Sequence, residues 1–144
     1  MLYSLAWSQR LDADHSSTLA HLVAGLTDQA SAHRLGVSER TVQRRVRDLM
    51  DWSAAANRMQ LGRYAALAGL PETGEHHDDP PPFGCLPDAA NLHLLRLLLA
   101  DEAAGRMLGL SPRSVERRVR ELMTLAGARS RAQLGWRATR RGWL

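Results

Sequence analysis

The chain has 144 residues, room for one ordinary domain or two very small ones. All 19 positive side chains are arginine and the net charge is +4, with no lysine or isoleucine, a bias GC-rich coding produces, so the placement of the arginines informs more than their number. The lone cysteine, Cys85, excludes an internal disulfide and a cysteine-cluster zinc site.

Alanine and leucine dominate and valine occurs six times, so propensity favours helix throughout. Met1 to Leu11 shows neither a basic leader nor an apolar core of signal length. Leu2, Tyr3, Leu5 and Trp7 suit cover of an apolar groove or a partner contact, and the simpler reading is a helical extension packing on the first module. Ser17 to Ala24 reads as a first helix, with Leu19, Leu22 and Val23 on its apolar side. Thr27 is placed to cap a second helix through Leu35, with Asp28 favourable in its first turn and Gly36 as the stop. Ser38 caps a third helix to about Met50, whose Val42, Val46 and Leu49 recur at spacings of four and three. A fourth helix is expected over Asn57 to Ala68.

Residues 71–88, PETGEHHDDPPPFGCLPD, hold five of the six prolines and five acidic residues without an arginine, and predict an irregular acidic linker. The charge is accordingly +2 over residues 1–70, −5 over the linker and +7 over residues 89–144. Leu94 to Ala100, the longest nearly apolar run, is interrupted by Arg96 and is too short to span a bilayer. Beyond it the four-helix pattern returns, with Asp101 and Ser111 as caps, Gly109 as the turn and Pro112 at the first helical position.

That return is an internal duplication. A shift of 73 residues superposes Asp28–Ala65 on its second copy without gaps, and 19 of 38 positions are identical. The expected architecture is all-α, with domains at 1–70 and 89–144 joined by the linker at 71–88. In each copy a small residue, a glycine four positions on and a valine six further stand as Ala32, Gly36, Val42 and as Gly105, Gly109, Val115. Close helix approach, a sharp turn and a filled angle are what a helix-turn-helix needs, and such a unit offers its second helix to the DNA major groove.

On these residues both copies, LVAGLTDQASAHRLGVSERTVQRRVRDLM and LLLADEAAGRMLGLSPRSVERRVRELMTLAGARSRAQLGW, resemble the LuxR-type helix-turn-helix DNA-binding domain. The resemblance implies a sequence-specific transcription regulator bound to double-stranded DNA. It implies base-edge contacts from Gln43, Arg44 and Arg47 and their counterparts Glu116, Arg117 and Arg120, and phosphate contacts from Ser38, Arg40 and Thr41 with Ser111, Arg113 and Ser114. Arginine can bind guanine bidentately, glutamine adenine, and glutamate can accept from cytosine, so Gln43 against Glu116 predicts related but unequal half-sites. The solvated-face reading of the arginine clusters is the bland alternative; Arg45 and Arg118 suit packing or pairing equally well. The tail arginines Arg129, Arg131, Arg137, Arg140 and Arg141 suit either a DNA backbone or a solvated helix.

Family members commonly pair through the fourth helix. Leu61, Tyr64, Ala65 and Ala68 form one candidate seam, and Leu134, Ala138 and Arg141, with Trp136 nearby, the other; cover of their own three-helix cores suits the same residues equally well. An 18-residue linker reaches about 23 Å as a coil and about 60 Å extended, against about 34 Å between half-sites one DNA turn apart. A single-chain pseudo-dimer is therefore the favoured arrangement, with a homodimer as its competitor. Only about 15 residues precede the first helix, so no sensor domain is expected in this sequence. The linker groups Glu75, His76, His77, Asp78 and Asp79 are poorly spaced for a metal, and His15, His21, His33 and His93 are scattered. No nucleophile with a base, carboxylate pair or phosphate-cradling loop is legible, so neither an enzyme nor a cofactor is expected. The expected setting is the cytoplasm, at the nucleoid and away from membranes. The alternative function is a protein-interaction module that binds a LuxR-type regulator or RNA polymerase without reading DNA.

Overall fold

Seven α-helices, one 3-10 turn and no strand account for the described residues, 6–70, 86–100 and 107–143 of this computed structural model. After the turn at Trp7–Arg10 come α1 (Ala13–Val23), α2 (Asp28–Leu35), α3 (Glu39–Ser53) and α4 (Arg58–Leu67). Next come α5 (Ala89–Ala100), α6 (Pro112–Ala126) and α7 (Arg131–Arg140). The bounds of α3 and α6, and of α4 and α7, coincide under the 73-residue shift. Among the described residues no helix is long and apolar enough to cross a membrane.

Side-chain oxygens start the helices. Asp12, Thr27, Ser38, Asn57, Ser111 and Ser130 each accept from the backbone N–H three residues on, and Asp88 does the same ahead of α5. Each such cap satisfies an otherwise orphan donor, for about 1 kcal/mol. The Asp12 cap explains why α1 begins at Ala13 and not at Ser17. Of the helical extension expected before it, the described part includes a 3-10 turn at Trp7–Arg10 anchored by Trp7, which is buried in the core, while Leu2, Tyr3 and Leu5 lie outside the described residues. The left-handed Gly36 and Gly109 (φ 66° and 67°) make the turns before α3 and α6. The helix α3 runs three residues beyond Met50 and ends where Ala54 turns left-handed at φ 60°. The expected Asp101 cap, Gly105 and the linker groups from Glu75 to Cys85 lie outside the described residues.

Two apolar cores form. In the first, Leu19, Leu22 and Val23 of α1 meet Ala32 of α2, Val42, Val46 and Leu49 of α3, and Leu61 and Ala65 of α4. In the second, Leu94, Leu95 and Leu99 of α5 meet Val119 and Leu122 of α6, Leu134 and Ala138 of α7, and Trp143. The cores exchange residues: Trp136 and Ala132 of α7 belong to the first, and Met59 of α4 to the second.

That exchange happens where α4 and α7 cross. A Cβ on Gly62 would collide with the Ala132 carbonyl oxygen, and one on Gly135 with that of Met59. Positions 62 and 135, and 59 and 132, are equivalents under the 73-residue shift, so the contacts are reciprocal, as across a two-fold axis. Of the two roles open to them, seam and core, Leu61, Ala65, Leu134 and Ala138 take the core, and the closest approach of the two helices is at the neighbouring Gly62 and Gly135. Absent side chains let the two backbones touch there, while Trp136 reaches across and donates from Nε1 to the Leu70 carbonyl at 3.2 Å.

Candidate nucleic-acid interface

The helix α3 carries two chemically opposed faces. Val42, Val46 and Leu49 are buried, while Ser38, Arg40, Gln43, Arg44 and Arg47 are exposed and Thr41 is half-buried. The helix α6 repeats the pattern, with Val119, Leu122 and Ala126 buried, Val115 half-buried, and Ser111, Arg113, Glu116, Arg117 and Arg120 exposed beside a half-buried Ser114. Each set of residues singled out from sequence thus shares one solvent-facing helix surface with its own helix N-terminus. Arg45 stands apart: it is half-buried and pairs with Asp14 of α1 at 3.6 Å. Arg118 is half-buried as well.

The hydroxyl pairs at the helix starts have limited spare capacity. Ser38 Oγ accepts from Thr41 N at 3.1 Å and lies 2.9 Å from Thr41 Oγ1. Ser111 Oγ accepts from Ser114 N at 3.1 Å and bonds to Ser114 Oγ at 3.0 Å. One hydroxyl proton in each pair is spent on the other hydroxyl, leaving one to donate outward. With the free N–H groups and positive end of the helix beside it, that donor suits a single anionic oxygen.

The two surfaces differ in charge chemistry. On α6, Glu116 Oε1 sits 3.7 Å from Arg120 Nη2, both well exposed, whereas α3 has the neutral Gln43 at the corresponding place. A surface pair of this kind is worth little and yields readily to a better partner.

Neighbouring elements fix both helices by different means. Arg137 Nη1 donates to the carbonyls of Ala126 and Gly127 (3.0 and 2.6 Å), and Arg141 Nη1 to Ala126 (3.0 Å), covering the negative C-terminal end of α6. Two of the tail arginines are therefore bound to carbonyls, and Arg140 lies over the Trp136 ring at 5.2 Å. In the first copy Arg58 grips Asp28 with two bonds of 2.7 Å, joining the starts of α4 and α2. His15 of α1 meets Asp48 of α3 at 3.0 Å.

Several of these residues were not singled out from sequence. Gly62 and Gly135 left one legible signal, a glycine inside a helix at the same place in both copies. The carbonyl-capping role of Arg137 and Arg141 left none, because their counterparts are Tyr64 and Ala68. Among the described residues no group of three or more His, Cys, Asp or Glu could hold a metal ion. Comparison with known protein families, with characterised proteins and with solved structures finds no match to this chain.

Proposed function

We propose that the chain is a sequence-specific DNA-binding transcription regulator with two helix-turn-helix units of LuxR type, reading two related half-sites with α3 and α6. The observation that carries this reading is the exposed surface shared by Gln43, Arg44 and Arg47 and repeated by Glu116, Arg117 and Arg120, each opposite a buried valine–leucine face and each starting from a glycine turn and a serine cap. Arginine and glutamine so placed can reach base edges, while Ser38, Arg40, Thr41 and their counterparts Ser111, Arg113 and Ser114 contact phosphates. The crossing of α4 and α7 supports a single-chain pseudo-dimer, because the surface through which such units pair is already occupied within one chain.

Selection from randomised duplex DNA at physiological salt, with the wild type and with Arg47→Ala/Arg120→Ala, tests this reading. A two-part motif enriched by the wild type and lost in the variant is expected. Salt-sensitive binding without enrichment would make the protein an architectural one. No binding at any salt would overturn the DNA reading in favour of a protein-interaction module.

A further inference from the structure

His15 is the third residue of α1, and its side chain is only 13% exposed. Its Nδ1 lies 2.8 Å from Asp12 Oδ1 and its Nε2 3.0 Å from Asp48 Oδ2, while the ring packs on Trp52 with centroids 4.5 Å apart. Asp48 and Trp52 are one turn apart on α3. A neutral imidazole has a single N–H, so one of its nitrogens would set a lone pair against a carboxylate oxygen. Both contacts are attractive only when the ring is an imidazolium.

Asp48 also stands one turn after Arg44, in the i,i+4 position from which a carboxylate captures an arginine. It faces His15 instead, which leaves Arg44 exposed to solvent. We infer that His15 is a positioning residue for the α3 surface: as an imidazolium it holds Asp48 toward α1 and keeps Arg44 available to a ligand, and as a neutral ring, able to hold only one of its two carboxylates and without the ionic attraction, it lets Asp48 turn to Arg44. The effect on DNA rests on the proposed function. The second copy lacks the device. Asp88 and Glu121 occupy the equivalents of His15 and Asp48, and Glu121 accepts from the Asn91 amide at 3.4 Å. The α6 half thus has no histidine–carboxylate contact at the corresponding place.

The charged groups acting on the ring are Asp12, the cap ahead of α1, and Asp48 of α3; Arg10 belongs to the 3-10 turn, Asp14 to α1, and Arg45 and Asp51 to α3. Asp14 is taken by Arg45, and Arg10 and Asp51 are exposed. On the other helices packed against α1, Arg58 is taken by Asp28 of α2, and Arg34 acts on His21. Burial pushes His15 down, but the hydrogen bonds to Asp48 and Asp12 outweigh it and leave the ring above its ordinary 6.5. Its stabilising contribution is therefore complete below about pH 6.5 and is lost as the pH rises through the raised value. His21 has the opposite sign. Burial, then Arg34, lowers it, so its contribution is present above 6.5 and lost on acidification. A whole-protein melting profile mixes the two, and the histidines must be followed separately.

NMR titration of the histidine ring protons in the intact chain is the DNA-free arm of the test. A His15 midpoint above 6.5 that drops in Asp48→Asn is expected, and a midpoint at or below 6.5 in the wild type overturns the inference. The second arm measures affinity for the selected duplex between about pH 5.5 and 8 at constant salt, the range in which histidine charge changes. The wild type loses affinity as the pH rises, while Asp48→Asn, having no carboxylate to capture Arg44, keeps high affinity at both ends. An equal loss in both proteins overturns the positioning role. Absence of DNA binding at every pH removes the proposed function and this role with it, while the NMR midpoint still decides whether His15 is held as an imidazolium. His15→Gln, checked for folding by its melting transition, should flatten the wild-type profile.

Discussion

Ala54 ends α3 at φ 60°, the one non-glycine among the described residues in the left-handed region, whereas its equivalent at the end of α6 is Gly127 at φ 63°. A Cβ in that conformation crowds the following carbonyl, at a cost of about 1 kcal/mol. Ala54→Gly should therefore stabilise the protein by about that much, even though glycine loses more backbone entropy on folding. Gly127→Ala should destabilise by at least as much, since the new methyl also presses on Arg137 Nη1. Urea denaturation of both variants checks the pair of signs. The exposed arginines divide at this scale too. Arg40→Ala and Arg113→Ala should weaken DNA binding uniformly across sequences and each reduce the slope of log affinity against log salt by about 1. Arg47→Ala and Arg120→Ala should cost about 1–3 kcal/mol on the preferred site and relax its sequence preference. Competition titrations at several salt concentrations separate the two kinds of loss. If all four variants behaved alike, the division into phosphate and base contacts would be wrong.

Between helices, the crossing of α4 on α7 replaces side-chain packing with near contact of backbones. Gly62→Ala must push the Ala132 carbonyl away, and Gly135→Ala that of Met59, so either change forces the same two helices apart. Each single variant should lose about 1–3 kcal/mol, as overpacked sites do. The double variant should lose clearly less than the two losses added, because the separation forced by the first substitution makes room for the second. A urea-denaturation cycle over the four proteins reads that coupling, and simple additivity would mean that the two contacts yield independently. The crossing also marks where sequence reading ends. Helix type, the glycine turns, the serine caps and the buried valine–leucine face of α3 arise from local chemistry and periodicity, and so they were legible. The outward placement of Gln43, Arg44 and Arg47 came from the same geometry. Which residues meet between α4 and α7 did not, because Leu61 and Leu134 suit a core as well as a seam. Only the tertiary arrangement gives those leucines to separate cores and the glycines to the crossing. The 3-10 turn at Trp7–Arg10 and the early start of α1 were missed for a related reason: Asp12 decides that boundary by capping, ahead of the first apolar residue of the helix.

At the scale of the whole molecule, the two copies are joined by a buried contact and yet are unequal in charge and chemistry. A homodimer presents identical reading surfaces, so it favours palindromes and binds them without direction. A single chain holding α3 and α6 has no such constraint. Residues 89–144 carry +7 against +2 for residues 1–70, and Glu116 beside Arg120 presents a different surface chemistry from Gln43 beside Arg47. One chain per site, bound in one orientation, is the expected outcome, with unequal half-sites on either side of the centre. The exchange Gln43→Glu/Glu116→Gln should then transfer the preference at one base pair from each half-site to the other and so turn the chain round on an asymmetric site, at little cost to stability, because both positions are exposed. Site selection with the wild type and the exchanged protein, read together with the stoichiometry of the complex, tests this. A symmetric site from the wild type, or an unchanged one from the exchanged protein, would remove positions 43 and 116 from the readout. Two chains per site would return the pairing to a homodimer, which would have to use a surface other than the occupied faces of α4 and α7.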